Sequence, residues 1–189
     1  MDRLPALVDE LTAATRPLLD VPFAFFGHSM GALVSFELAR ALRREYGLSA
    51  EHLFASAWRA PQLPLGTQLH RLPESEFIDR LQARFSGIPE GVLRDRELLD
   101  MMLPVLRADL AVCETYEYSD EAPFGCPISV FGGVDDHWVN ASELAAWSVH
   151  TTRPINVTMF PGDHFFISDG RQLVPQKVAE ILVGEFAAA

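Results

Sequence analysis

Six consecutive residues, Val21-Pro22-Phe23-Ala24-Phe25-Phe26, carry no polar side chain. A strand with one wet face would alternate, so this run suits a strand buried on both faces, as in a parallel sheet. Pro22 is tolerable near the start of such a strand. A parallel strand must be followed by a crossover, and a helical pattern comes at once. Leu33, Val34, Phe36, Leu38 and Leu42 recur at helical spacing between Met30 and Tyr46, and Gly47 follows as a C-terminal stop. His52–Ala57, Ile128–Phe131 and Ile155–Phe160 read as three more core strands, and Ser142–Val149 and Leu173–Phe186 as further helices. Residues 3–16 read as an amphipathic helix on Leu4, Leu7, Val8 and Leu11, closed by Pro17. Strands alternating with helices predict an α/β fold: a mostly parallel sheet between helices.

Residues 62–125 break that rhythm. They hold no convincing strand but two helical patterns. One runs about 74–85 through Phe77, Ile78, Leu81 and Phe85. The other runs about 97–116 through Leu98, Met101, Met102, Val105, Leu106 and Tyr116. Pro104 is expected to kink or interrupt the second. The chain therefore divides into a single core domain, residues 1–61 and 127–189, and a helical insertion, residues 62–126. An insertion of this size between two core strands reads as a lid over a site. The plainer alternative is helical packing with no gating role.

The 189 residues suffice for one domain with a core of its own. The net charge of −11 argues against nucleic acid as a partner, since phosphate binding needs a basic surface. Cys113 and Cys126 do not make a disulfide framework and fit a reducing compartment. The first twenty residues carry Asp2, Asp9, Glu10 and Asp20 and no long apolar stretch, and no other segment reads as a membrane span. The expected location is cytoplasmic.

Between the first strand and its helix lies Gly27-His28-Ser29-Met30-Gly31. Gly-x-Ser-x-Gly is short and generic, but a buried strand before it and a helix after it are the setting of a nucleophile elbow. The expectation is strained backbone at Ser29, with Gly27 and Gly31 where a side chain would collide with a neighbour. The helix start favours negative charge, and the Met30 amide points where an oxyanion would form. A serine hydroxyl needs a base to take its proton and an acid to orient the base, in the order Ser, Asp or Glu, His. Asp135 and Asp136 follow the third strand in Phe131-Gly132-Gly133-Val134-Asp135-Asp136-His137, and either can be the acid. His164 follows the fourth strand in Gly162-Asp163-His164-Phe165-Phe166 and is the expected base. His137 precedes that strand and is the weaker candidate. His70 lies in the insertion, where it can approach substrate. A metal site from Asp135, Asp136, His137, Asp163 and His164 is chemically conceivable, but leaves the serine turn unexplained.

Several stretches resemble one family. Phe25-Phe26-Gly27-His28-Ser29-Met30-Gly31-Ala32-Leu33, Arg59-Ala60-Pro61, Leu106-Arg107-Ala108-Asp109 with Glu114-Thr115-Tyr116, Phe131-Gly132-Gly133 and His164-Phe165-Phe166 look like type II thioesterases. These are the free-standing α/β-hydrolase enzymes of polyketide and nonribosomal peptide biosynthesis. The resemblance implies hydrolysis of acyl groups from the phosphopantetheine arm of acyl or peptidyl carrier proteins, with no cofactor of the enzyme's own. It implies a Ser29, His164 and Asp136 triad, because the family's Gly-x-x-Asp-x-x-Val pattern falls on Gly133, Asp136 and Val139. It also implies early strands ahead of the first helix, and a turn whose amide completes the oxyanion hole. Neither is present here, so the expectations are a sheet truncated on that side, a bare edge at Val21–Phe26, and a start at Met1 set too late within a longer gene. The alternatives are a small-ester carboxylesterase, or a weakly active or non-catalytic carrier-binding short form.

Overall fold

A computed structural model describes residues 2–85, 90–168 and 172–188. Four strands, β1 (Ala24–His28), β2 (His52–Ser56), β3 (Ile128–Gly133) and β4 (Asn156–Phe160), form one sheet in the order β1-β2-β3-β4. All three pairings are parallel; the ladder sets Ala24 beside His52, Leu53 beside Ile128 and Ser129 beside Asn156. The helices are α1 (Leu4–Thr15), α2 (Met30–Tyr46), α3 (Glu74–Phe85), α4 (Glu90–Arg94), α5 (Arg96–Glu114), α6 (Ala141–Ala145) and α7 (Leu173–Ala188). This is the expected α/β architecture.

Strand alternation divides the core in two. Leu53, Ala55, Ile128 and Val130 face α1, α2 and Trp147. Phe54, Phe131 and Phe160 face the other way, toward Phe166 and α7 residues Val174, Val178, Ile181 and Leu182. The inner strands β2 and β3 are buried along their whole length. The outer strand β1 is not: Gly27 is buried, Ala24 and Phe25 are half-buried, and Phe26 is exposed. The expectation of burial on both faces therefore fails for β1, which among the described residues is flanked by β2 alone. Its bounds also shift. Val21 is solvent-exposed, and the ladder with β2 runs on through Gly27 and His28.

The segment between β2 and β3 builds a small core of its own. Leu69, Phe77, Leu81, Leu99, Leu103 and Leu110 close together across α3 and α5. Pro104 does not interrupt α5, which is helical from Arg96 to Glu114. Pro104 lies on the exposed side, so the carbonyl left without a helical partner can face water. Asp95 caps this helix by accepting from the amides of Glu97 and Leu98. The helix α4 was not expected, and Ser142–Val149 resolves into one α-turn followed by a 3₁₀ turn at Ala146–His150. Among the described residues no helix is long and apolar enough to cross a membrane.

Candidate active site

Ser29 stands between β1 and α2 with φ 54° and ψ −126°, a backbone conformation unusual for any residue but glycine. Such strain costs about 1–3 kcal/mol and persists only where the surroundings impose it. Here the Ser29 amide donates to the Ser56 carbonyl at 2.8 Å, tying the turn to the end of β2. A Cβ at Gly27 would collide with the carbonyl of Gly31 and the backbone of Ala32. Gly27 is therefore fixed by close approach of β1 to α2, as expected. Gly31 is not: a Cβ there meets nothing within 4 Å outside its own helix. Met30 opens α2, so its amide has no partner from a preceding helical turn.

The three residues expected to act together are brought together. His164 Nε2 lies 2.9 Å from Ser29 Oγ, and His164 Nδ1 lies 2.9 Å from Asp136 Oδ2. Asp136 Oδ1 accepts from the Trp138 amide at 2.7 Å, so both carboxylate oxygens are engaged. The Asp136 side chain is 1% exposed. Burial alone would raise its carboxyl, but the His164 ring and the Trp138 and Val139 amides outweigh it and hold it below the usual carboxylate range. Asp135 and His137 are exposed at the same turn, outside this chain of contacts. Backbone fixes the spacing of Asp136 and His164. The Asp135 amide donates to the Gly162 carbonyl, and a Cβ at Gly133 would strike the carbonyls of Gly162 and Asp163.

His28 sits beside His164, outside the Ser29–His164–Asp136 hydrogen bonds. Its Nδ1 is 2.9 Å from Ser56 Oγ, and its ring packs 5.5 Å from His164 and 5.4 Å from Phe166. Burial, and then the neighbouring His164, push its pKa down to about 4, so it is neutral near pH 7. His70 turns away from the serine. Its ring and amide both bond to Glu114, which also accepts from Thr67 and the Leu69 amide. Among the described residues, no three His, Cys, Asp or Glu side chains are gathered to hold an ion.

Ser29 opens into a cavity of about 310 Å³. Its floor is the serine turn with Trp58, Trp138 and Phe165. Its far wall is Leu81 of α3 and one face of α5, namely Leu106, Asp109, Leu110 and Cys113. Trp138 and Phe165 also present ring edges to His164, at 5.3 and 5.4 Å. The sequence reading missed these wall residues. The only signal for Trp138 was its place two residues after the acid. A second cavity of about 470 Å³, between α1, α2 and the segment after α5, includes none of the three.

A strained serine between a parallel strand and a helix, backed by histidine and aspartate in the order Ser, Asp, His, defines the α/β-hydrolase fold. Within that class the chain belongs to the thioesterase domain family, which matches residues 1–183. The gramicidin S biosynthesis protein GrsT of Aneurinibacillus migulanus is 45% identical over 172 residues, 90% of this chain and 67% of that protein. Among solved structures, the type II thioesterase BorB from the borrelidin biosynthetic cluster superposes with a TM-score of 0.83 at 37% identity, covering 95% of this chain and 73% of that one. ClbQ from the colibactin NRPS/PKS pathway superposes with a TM-score of 0.92 at 28% identity, covering 100% and 80%. The chain spans 51–67% of the length of four curated relatives.

Proposed function

We propose that this chain acts as a type II thioesterase, which hydrolyses acyl groups from the phosphopantetheine arm of acyl or peptidyl carrier proteins in polyketide or nonribosomal peptide biosynthesis. One observation carries the reading: Ser29 Oγ, His164 and Asp136 stand in hydrogen-bond sequence, at 2.9 Å and 2.9 Å, at the base of a largely apolar cavity. His164 takes the Ser29 proton on Nε2 while Oγ attacks the thioester carbonyl carbon. Asp136, bonded to Nδ1, holds the ring and stabilises its cation. The Met30 amide donates to the developing oxyanion. The tetrahedral species collapses, the C–S bond breaks, and His164 returns its proton to the leaving thiolate. Water then attacks the acyl-serine with His164 again as base, releasing the free acid. No cofactor of the enzyme's own enters, because the phosphopantetheine belongs to the substrate.

Residues 1–61 and 127–189 form the catalytic core in this reading, and residues 62–126 a lid, since α3 and α5 wall the cavity above Ser29. Cys113 and Cys126, present as thiols rather than in a disulfide, fit a cytoplasmic enzyme. The test uses acyl-phosphopantetheinyl carrier protein with Ser29→Ala. Hydrolysis is expected to fall to background while circular dichroism is unchanged. Retention of the unmutated rate within tenfold would sink the assignment. Faster turnover of a simple oxoester than of the carrier thioester, with the same acyl group, would favour a carboxylesterase instead.

A further inference from the structure

We propose that Asp109 is a specificity-determining residue, a cavity-rim anion that selects acyl groups carrying an ammonium. The inference rests on the cavity being the acyl site of the proposed thioesterase, and goes beyond it to the class of acyl group preferred. Leu106, Asp109, Leu110 and Cys113 are spaced i, i+3, i+4 and i+7, so they share one face of α5. All four line the cavity that contains Ser29. Asp109 is the one acidic or basic side chain in that lining; the others are apolar, or are Ser29, the thiol of Cys113 and neutral His28. It is solvent-exposed as well as lining, which places it at the rim.

Among the described residues, no ion pair or hydrogen bond engages the Asp109 carboxylate. The nearest arginine in sequence, Arg107, is committed elsewhere: it donates to the His70 carbonyl at 2.9 Å and stacks 4.1 Å from the Phe77 ring centroid. Partial burial moves the Asp109 carboxyl above its ordinary range. The surroundings are electronegative on this face. Burial first, then the charges of Asp109 and Glu114, push the Cys113 thiol up to about 12. An unpaired carboxylate over an apolar cavity penalises a purely aliphatic chain that must desolvate it. It rewards a chain that brings a cation. A pair of this kind at an exposed rim is worth up to about fivefold in affinity.

The experiment compares N-acetylcysteamine thioesters of one chain length: hexanoyl, norleucyl and ε-aminohexanoyl. The readout is kcat/KM of each amino compound relative to hexanoyl, in the unmutated protein and in Asp109→Asn, which keeps size and hydrogen bonding but removes the charge. The expected result is a fall of about fivefold in that ratio for at least one amino compound. Hexanoyl turnover is expected to rise, and Asp109→Glu to restore the ratio. Ratios within threefold of the unmutated protein for both amino compounds overturn the proposal. If no thioester is turned over, the catalytic reading fails, and binding decides this one separately. Hexylammonium and hexan-1-ol are then titrated calorimetrically into Ser29→Ala, with and without Asp109→Asn. A preference for the ammonium that vanishes with Asp109→Asn supports the role, and equal binding refutes it.

Discussion

Glu114 holds the start of the helical segment to the end of α5, and replacing it with glutamine isolates that role. Its side chain is fully buried, at 0% exposure. It accepts four bonds: from Thr67 Oγ1 at 2.8 Å, the Leu69 amide at 2.9 Å, the His70 amide at 3.0 Å and His70 Nδ1 at 2.6 Å. Burial alone would raise its carboxyl, but these donors outweigh it and hold it below the ordinary range. Glutamine has the same shape with one oxygen turned into a donor. If its oxygen faces Thr67 and Leu69, its amide nitrogen faces His70. The imidazole can then change tautomer and accept at Nδ1. The His70 backbone N–H cannot change, and is left buried without an acceptor. That orphan costs about 1–3 kcal/mol, and the remaining bonds lose their charge assistance, so a total near 3 kcal/mol is expected. With a urea slope of about 2 kcal/mol per M, the midpoint should fall by about 1.5 M. Amide exchange at Leu69 and His70 should accelerate, and thioester hydrolysis should weaken, because α5 walls the cavity. A midpoint shift below about 0.3 M, with exchange at both amides unchanged, would refute the clamp.

The two glycines of the serine turn should behave oppositely. Gly27→Ala drives a Cβ into the Gly31 carbonyl and should destabilise by about 3 kcal/mol or more, whereas Gly31→Ala meets open space in a helix and should stabilise by about 0.5–1 kcal/mol, both read by thermal melting. Asp136→Asn should leave the melting temperature within a few degrees but lower kcat by about 10³–10⁴, because the amide cannot stabilise a His164 cation. Stability should fall on acidification from about pH 6.5 to about pH 4. His28 and His150 are each held near 4 in the fold by burial first, aided by His164 and Arg40 respectively, so the unfolded chain binds more protons across that window. Each contributes on the order of 1–2 kcal/mol, and urea midpoints of His150→Phe should depend less steeply on pH than those of the unmutated protein.

What could be read from sequence was what neighbours in the chain decide. The ends of α2 fall at Met30 and Tyr46 because their causes are local: a strained serine before it, and Gly47 at φ 65° after it, donating to the Arg43 and Leu42 carbonyls. β2 and β3 were legible as largely apolar runs, interrupted by His52, Ser56 and Ser129, because strands on both sides bury them. β1 has an equally apolar run, but apolarity records what a strand can tolerate, not how many neighbours it has. The failures share that cause. Gly31 has the same identity and spacing as Gly27, yet only Gly27 has backbone packed against it. His70 looked free to approach substrate because nothing near it in sequence revealed Glu114, its partner 44 residues away. The serine's partners escaped this problem only because the chemistry itself constrains them to the ends of successive strands. Asp136 and His164 sit where parallel strands β3 and β4 stop, and the contact of Gly133 with the Gly162 and Asp163 carbonyls converts that topology into a 2.9 Å bond. The cavity wall has no such rule. Leu81, Leu106, Asp109 and Cys113 meet above Ser29 through the packing of α3 and α5. In the proposed function that packing would decide which acyl group fits, so specificity is the part of this protein that sequence periodicity reaches last.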